Sequence, residues 1–264
     1  MAFDDVKLPK SVTQEKVLRV HHWTNELFSI RLTRPQSFRF RSGEFVMLGL
    51  MQQERPLLRA YSIASPAWDD GLDFYSIKVA DGPLTSKLQH VRKGDQILLG
   101  RKPTGTLVLD ALKPGKRLIL FSTGTGVAPF ASLLREPETY DKFESVILAH
   151  TCRNVQDLQY SAALLASLAD DPLVCDVAPT RVSLYDTVTR ERYKRTGRIT
   201  DLISSGKFFS DNAISGFDPQ TDRIMICGST PMIADTRVLV EGAGLKEGSN
   251  ASPGEFVVEK AFAS

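Results

Sequence analysis

Up to about residue 110 the apolar positions come in short bursts, with no long helical rhythm. Runs rich in β-branched, aromatic and leucine residues fall at 16–20, 27–33, 45–50, 74–79, 96–99 and 106–109. Clusters of Gly, Pro, Asp and Ser separate them, and this spacing predicts an antiparallel barrel or sandwich. Residues 82–91 break the pattern and predict a short helix. From Pro114 the grammar changes. Residues 117–122, 145–150, 223–227 and 255–259 are compact apolar runs, the signature of buried parallel strands. Between them, residues 155–169 place Val155, Leu158, Ala162, Leu165 and Leu168 on one predicted helix face. A second helix is expected to start at Thr230-Pro231, capped by Ser229 or Thr230, and to close at Gly242 or Gly244. Strand–helix alternation argues for an open α/β sheet. The Pro-Gly punctuation at 110–115 marks the expected boundary between the two halves.

The remaining bulk features narrow the function classes. The chain has 264 residues, and its 33 Lys and Arg nearly balance its 31 Asp and Glu. That balance argues against a dedicated nucleic-acid binder. No apolar stretch approaches the ~18 residues of a membrane span, and the acidic start Met1-Ala2-Phe3-Asp4-Asp5 does not read as a secretory signal. The three cysteines are Cys152, Cys175 and Cys227. They are too few for a four-cysteine iron–sulfur cluster, and the expectation is free thiols in a cytoplasmic protein with no metal centre.

Three constellations carry candidate chemistry. Thr123-Gly124-Thr125-Gly126 follows an apolar strand and precedes Val127-Ala128-Pro129. Glycines at such a strand-to-helix turn let backbone N–H groups approach a pyrophosphate, although the full Gly-x-Gly-x-x-Gly spacing is missing. An ordinary strand–helix turn is the competing reading. Arg59-Ala60-Tyr61-Ser62, the run through Tyr75 and Ile77, and Gly82-Pro83-Leu84-Thr85 combine a planar cation, aromatic faces, hydroxyls and a turn with open donors. Those groups suit a flavin ring and its phosphates, and each alone also suits a barrel strand or a turn. Cys227-Gly228-Ser229 ends a buried strand, where ligands of open α/β sheets bind. Residues 181–198 add six basic side chains against two acidic ones. This net +4 is either an anion site or a solvated loop.

Taken together and in this order, the motifs resemble the ferredoxin/flavodoxin–NADP⁺ reductase family, specifically its bacterial branch. The resemblance implies an N-terminal antiparallel β-barrel over residues 1–111 carrying FAD. An α/β parallel-sheet domain over 112–264 would carry NADP(H), with a C-terminal tail returning to the FAD. It implies Arg59 on a flavin phosphate, Ala60, Tyr61 and Ser62 against the isoalloxazine, and Gly82 to Thr85 as the FAD-pyrophosphate turn. Thr123 to Gly126 become the nicotinamide-dinucleotide loop, and Arg153, Arg190 and Arg198 ligands of a 2′-phosphate. Cys227 and Gly228 would meet the nicotinamide ring. Ser62, Cys227 and Glu259 are the residues implied at the reacting atoms. Ala261 stands where plant-type members place an aromatic, and Phe262 is expected on the FAD adenine. The implied partner is ferredoxin or flavodoxin, in a transient complex with a monomer. Two other readings stay open: a reductase component serving an oxygenase or cytochrome, and a flavin-binding subunit that has lost hydride transfer.

Overall fold

The structure, a computed structural model, describes residues 8–53 and 55–260. Six antiparallel strands form the first half: β1 (Val12–His22), β2 (Leu27–Thr33), β3 (Phe45–Gln52), β4 (Arg55–Ser62), β5 (Gly71–Ile77) and β6 (Gln96–Gly100). Their spatial order is β4-β3-β6-β1-β2-β5. The two edge strands meet just beyond β4, where Ile63 bridges Phe74 and the Ala64 N–H donates to the Asp73 carbonyl at 2.8 Å. The sheet therefore curls into a barrel with a partial seam between β4 and β5. Its core is Val17, Phe28, Leu48, Phe74 and their inward-facing neighbours. Alternation of buried and open positions along β2 shows the period of two expected of a strand with one face inward. A single helical turn, α1 (Thr85–Leu88), lies where the short helix was expected.

The second half is a five-stranded parallel sheet of β7 (Arg117–Thr123), β8 (Ser145–Cys152), β9 (Val182–Val188), β10 (Asp222–Gly228) and β11 (Phe256–Lys260). The order is β11-β10-β7-β8-β9. Alternate residues of each strand feed opposite faces. Leu118, Leu120, Val146 and Leu148 pack with α2 (Ala128–Leu134), α3 (Pro137–Lys142) and α4 (Gln159–Ser167). Ile119, Phe121, Ile147 and Ile224 pack with α5 (Ile199–Ser204), α6 (Lys207–Asp211) and α7 (Thr230–Gly242). The chain leaves β7 for β8 and β9 on one side and returns to β10 on the other. Its topological switch point thus lies between the C-terminal ends of β7 and β10, where ligands of such sheets bind.

Four local expectations change. Residues 106–109 form no strand. Leu107, Val108 and Leu109 are buried, but they run extended into a tight helical turn, Leu109–Ala111, and Thr106 bonds across to Glu259 and Val258. β4 and β9 appear where no strand was expected. The 155–169 helix opens as a 3-10 turn, Val155–Leu158, which rotates the register. Its buried face is therefore Leu158, Ser161, Leu164 and Leu168, and Ala162 is exposed. α7 starts behind Ser229 with Pro231 in its first turn and ends before Gly244, whose φ of +90° closes it. Among the described residues no helix is long and apolar enough to cross a membrane.

The halves are tied by specific contacts. The Ser132 hydroxyl donates to the Ser65 carbonyl at 2.8 Å, and the Trp68 indole N–H to the Arg135 carbonyl at 2.9 Å. Arg135 joins Asp171 of its own domain at 2.7 Å and Asp69 of the barrel at 3.4 Å. Tyr160 on α4 stacks on Tyr75 of β5, centroids 4.0 Å apart, and takes the edge of Trp23 at 5.3 Å.

Candidate functional site

The seam of the barrel produces the first cavity, of 380 Å³. On one side β4 has only β3 as a ladder partner, so its outer edge at Arg59, Ala60, Tyr61 and Ser62 leaves backbone groups open to a ligand. On the other side stand Tyr75 and Ile77 of β5, and the floor is the turn Gly82-Pro83-Leu84-Thr85. The Tyr61 hydroxyl meets the Ser76 hydroxyl at 3.4 Å across the seam. Tyr75 is nearly buried, its ring committed to Tyr160, so it serves as wall and domain contact together. In the turn, the Gly82 N–H donates to Val79, and a Cβ on Gly82 would strike the Thr85 hydroxyl. Among the described residues the Leu84 and Thr85 N–H groups find no acceptor. Arg59 is exposed, and among the described residues its side chain meets only the Leu58 carbonyl. An aromatic-walled groove ending in two free donors and an uncommitted guanidinium fits a flavin dinucleotide.

The second cavity, of 430 Å³, opens over the C-terminal ends of β7, β8 and β10. Thr123, Gly124 and Thr125 line it, and it shares Ile77 and Thr125 with the first cavity, so the two adjoin there. Gly124 sits at φ +53° with nothing near the place of a Cβ. The need for glycine there is conformational. Gly126 is different: a Cβ would run into the Cys227 carbonyl, so the turn closes on the end of β10. The Ser229 N–H donates to the Thr123 hydroxyl at 3.1 Å, joining the two strand ends at the switch point.

Arg153 and Arg198 line the same cavity, Arg198 from the residue that starts α5. Arg190 is not in its wall. It stands beside it, its N–H donating to the Arg153 carbonyl at 3.0 Å. The basic stretch divides sharply. Arg181 is bound to the Tyr140 carbonyl, and Lys194 and Arg195 to the buried Asp186 at 2.9 and 3.1 Å. The hydrogen bonds from Lys194 and Tyr193 outweigh burial and hold the Asp186 carboxyl below the usual range, although burial itself raises it. Arg153, Arg190 and Arg198 have no carboxylate partner among the described residues. Three guanidinium groups without a carboxylate partner among the described residues thus stand around one mouth, an arrangement that suits an anion.

Cys227 and Glu259 lie side by side in register at the ends of β10 and β11. Cys227 is fully buried, and its thiol is pushed well up by burial and by the Glu259 charge. It is no thiolate nucleophile. Glu259 accepts the Thr106 N–H at 3.1 Å and lines a separate hollow with Phe45, Thr104 and Thr106. Burial pushes its carboxyl up to about 7, against the Thr106 bond, and Glu44 adds repulsion. Ser62 is not in that hollow, but Phe45 is its register partner, so the sites touch through one strand pair. Folded Glu259 holds its proton to higher pH than the unfolded chain does. Its contribution to stability is therefore complete below pH 4.5 and is lost as pH rises through 7. Glu259→Gln is expected to gain up to about 3 kcal/mol relative to the parent between pH 4.5 and pH 8, read from thermal or urea unfolding. A pH-independent difference would remove the buried carboxyl from the account.

Ala261 and Phe262 lie outside the described residues. Sequence reasoning missed the layer beneath the loop: His150, whose ring nitrogens reach Gly124 and Ser161, and the Asn154–Asp157 capping box that starts the next helix. A histidine three residues before Arg153, at the end of an apolar run, was the available signal.

Comparison with known proteins agrees with this geometry. Residues 120–238 match the family model of the oxidoreductase NAD-binding domain. The chain is 56% identical over 249 residues to a flavodoxin/ferredoxin–NADP reductase of Rhodobacter capsulatus, covering 94% of this chain and 92% of the relative. It is 49% identical to a ferredoxin–NADP reductase of Pseudomonas aeruginosa, covering 94% and 96%. The crystal structure of a ferredoxin NADP⁺ reductase from Neisseria gonorrhoeae, with bound FAD and NADP, superposes with a TM-score of 0.87 at 30% identity, over 96% of this chain and all of that one. The two-domain fold, the adjoining cavities and these identities together show that the chain belongs to the flavodoxin/ferredoxin–NADP reductase family of oxidoreductases.

Proposed function

We propose that residues 1–111 carry FAD, that residues 112–264 carry NADP(H), and that NADPH delivers reducing equivalents which leave singly to ferredoxin or flavodoxin. The observation that carries this reading is that the two cavities adjoin at Ile77 and Thr125, which line both. A flavin held in the barrel seam and a nicotinamide held over the β7 and β10 ends would stand on the two sides of that shared wall. When bound, the flavin accepts a hydride from the nicotinamide and passes two electrons on separately.

The protein's share is binding, alignment and proton control. Arg59 and the Leu84 and Thr85 N–H groups would hold the flavin phosphates, and Tyr61 and Ser62 would face its ring, with Ala60, Tyr75 and Ile77 as wall. Thr123 to Gly126 would take the nicotinamide-side pyrophosphate. Arg153, Arg190 and Arg198 would take the 2′-phosphate. Cys227 and Gly228 shape the nicotinamide pocket through backbone packing, since the thiol is buried. Glu259, poised near neutrality, would exchange a proton at the far side of Ser62. Ala261 and Phe262 would complete the flavin site.

The names of relatives support the choice of carrier, since they are called flavodoxin/ferredoxin–NADP or ferredoxin–NADP reductases. A monomer suffices because one chain builds both cavities, and free thiols at Cys152, Cys175 and Cys227 suit a reducing cytoplasm. The purified protein is expected to be yellow, with one FAD per chain and no iron. A protein that stays colourless after incubation with FAD would sink this reading.

A further inference from the structure

Beneath the dinucleotide turn sits a histidine that none of these roles uses. His150, on β8, is fully buried. Its Nε2 lies 2.9 Å from the Gly124 carbonyl oxygen, and its Nδ1 lies 2.9 Å from the Ser161 hydroxyl on α4. The Cys152 sulfur is 3.3 Å from Nε2. Burial lowers the imidazole to about 4, so the ring is neutral and carries one N–H. The Gly124 carbonyl can only accept, which assigns that proton to Nε2. Nδ1 is then the acceptor, and the Ser161 hydroxyl donates to it. The hydroxyl thereby gives up its alternative bond to the Leu158 carbonyl, 3.0 Å away.

The consequence lies on the other side of the peptide. A trans peptide is planar, with C=O and N–H pointing in opposite directions. A Gly124 carbonyl turned inward to His150 sends the Thr125 N–H outward, toward the cavity that Gly124 and Thr125 line. Gly124 at φ +53° has no side chain to oppose a flip of that peptide. The bond from the imidazole, fixed in turn by Ser161, holds this orientation from below the loop, in addition to the 3-10 turn Gly124–Val127 to which the peptide belongs.

We propose that His150 is a positioning residue for dinucleotide binding. Its Nε2–H anchors the Gly124 carbonyl and so keeps the Thr125 N–H aimed at the pyrophosphate. The proposal rests on the reading of this turn as the NADP(H) loop. It predicts an effect confined to the pyrophosphate end, because the arginines that face the 2′-phosphate stand on other loops.

The test is equilibrium titration of the FAD-loaded protein with NADP⁺ and with adenosine 2′-monophosphate, which lacks the pyrophosphate. His150→Met keeps an apolar side chain of similar length without a donor. It is expected to weaken NADP⁺ about tenfold, to leave adenosine 2′-monophosphate unchanged, and to raise the KM for NADPH with kcat retained. His150→Asn places its amide where Nδ1 stands and should lose NADP⁺ affinity in the same way. His150→Gln reaches the Nε2 position and should restore it to within about threefold. Should His150→Met fail to fold, the contrast between the Asn and Gln variants decides. Equal losses of NADP⁺ and adenosine 2′-monophosphate would reduce His150 to a packing role and overturn the proposal, as would a Gln variant no better than Asn. A parent protein that binds adenosine 2′-monophosphate as tightly as NADP⁺ would instead refute the assignment of the loop.

Discussion

Arg198→Ala raises the KM for NADPH by about 10–150-fold and leaves that for NADH nearly unchanged, because a hydrogen bond to a charged group contributes roughly 1.5–3 kcal/mol. The size follows from what Arg198 does not do. Lys194 and Arg195 are spent on Asp186 and Arg181 on a carbonyl, so their loss would disturb the fold. Arg198 lines the cavity mouth and, among the described residues, has no carboxylate partner to abandon. Arg190→Ala should act in the same direction with a smaller effect, since Arg190 reaches the mouth only from beside Arg153. The discriminating quantity is the ratio of kcat/KM values for the two cofactors. Equal losses with NADPH and NADH would show that these arginines do not read the 2′-phosphate.

Gly126→Ala lowers the rate of flavin reduction by NADPH about 100-fold, with FAD still bound and the fold retained at a cost of about 1–3 kcal/mol. A methyl group at Gly126 would occupy the place of the Cys227 carbonyl oxygen and lie 3.0 Å from the Gly228 Cα. Either the turn or the end of β10 must retreat. In the proposed reading both border the nicotinamide site, where a displacement near 1 Å is costly to hydride transfer. The first cavity touches neither residue, so FAD affinity should hold. Stopped-flow reduction and FAD equilibrium binding separate the two effects. A variant reduced as fast as the parent would mean that the Gly126–Cys227 contact does not set the geometry of transfer.

Much of this molecule was legible in its sequence, and the exceptions have physical causes. The parallel core strands announce themselves because both faces are buried, which leaves continuous apolar runs at 117–122 and 223–227. β9 escaped because Asp186 and Thr187 interrupt such a run. Both are buried, Asp186 against Lys194, Arg195 and Tyr193, and Thr187 against the Thr151 hydroxyl at 2.8 Å. Partners of that kind are invisible until the chain is folded. β4 escaped because it is an edge strand, where Arg55, Pro56 and Arg59 are tolerated. Residues 106–109 misled in the opposite sense: burial was right, but Thr106 bonds to β11 while the Val108 and Leu109 carbonyls close a turn, so no ladder forms.

The candidate site divides along the same line. Arg59 to Ser62, Gly82 to Thr85 and Thr123 to Thr125 were visible as local motifs, and folding gathers them into two adjoining cavities. Composition suggested an anion site in the 181–198 stretch, but only the ion pairs show which arginines are available. Cys227 reads in sequence as a contact residue. In the structure it lines neither cavity, and its carbonyl packs against the place of a Gly126 side chain. His150 lies in the layer below, where a buried ring and a hydroxyl eleven positions apart meet only through the packing of α4 on the sheet.

The measurement that tests the central claim most directly is anaerobic mixing of the FAD-loaded protein with NADPH, then with oxidised ferredoxin or flavodoxin. The account predicts that NADPH bleaches the flavin absorbance rapidly, that NADH does so far more slowly, and that either carrier restores it while becoming reduced. A flavin that NADPH leaves oxidised, or one that is reduced but passes no electrons to either carrier, would contradict it.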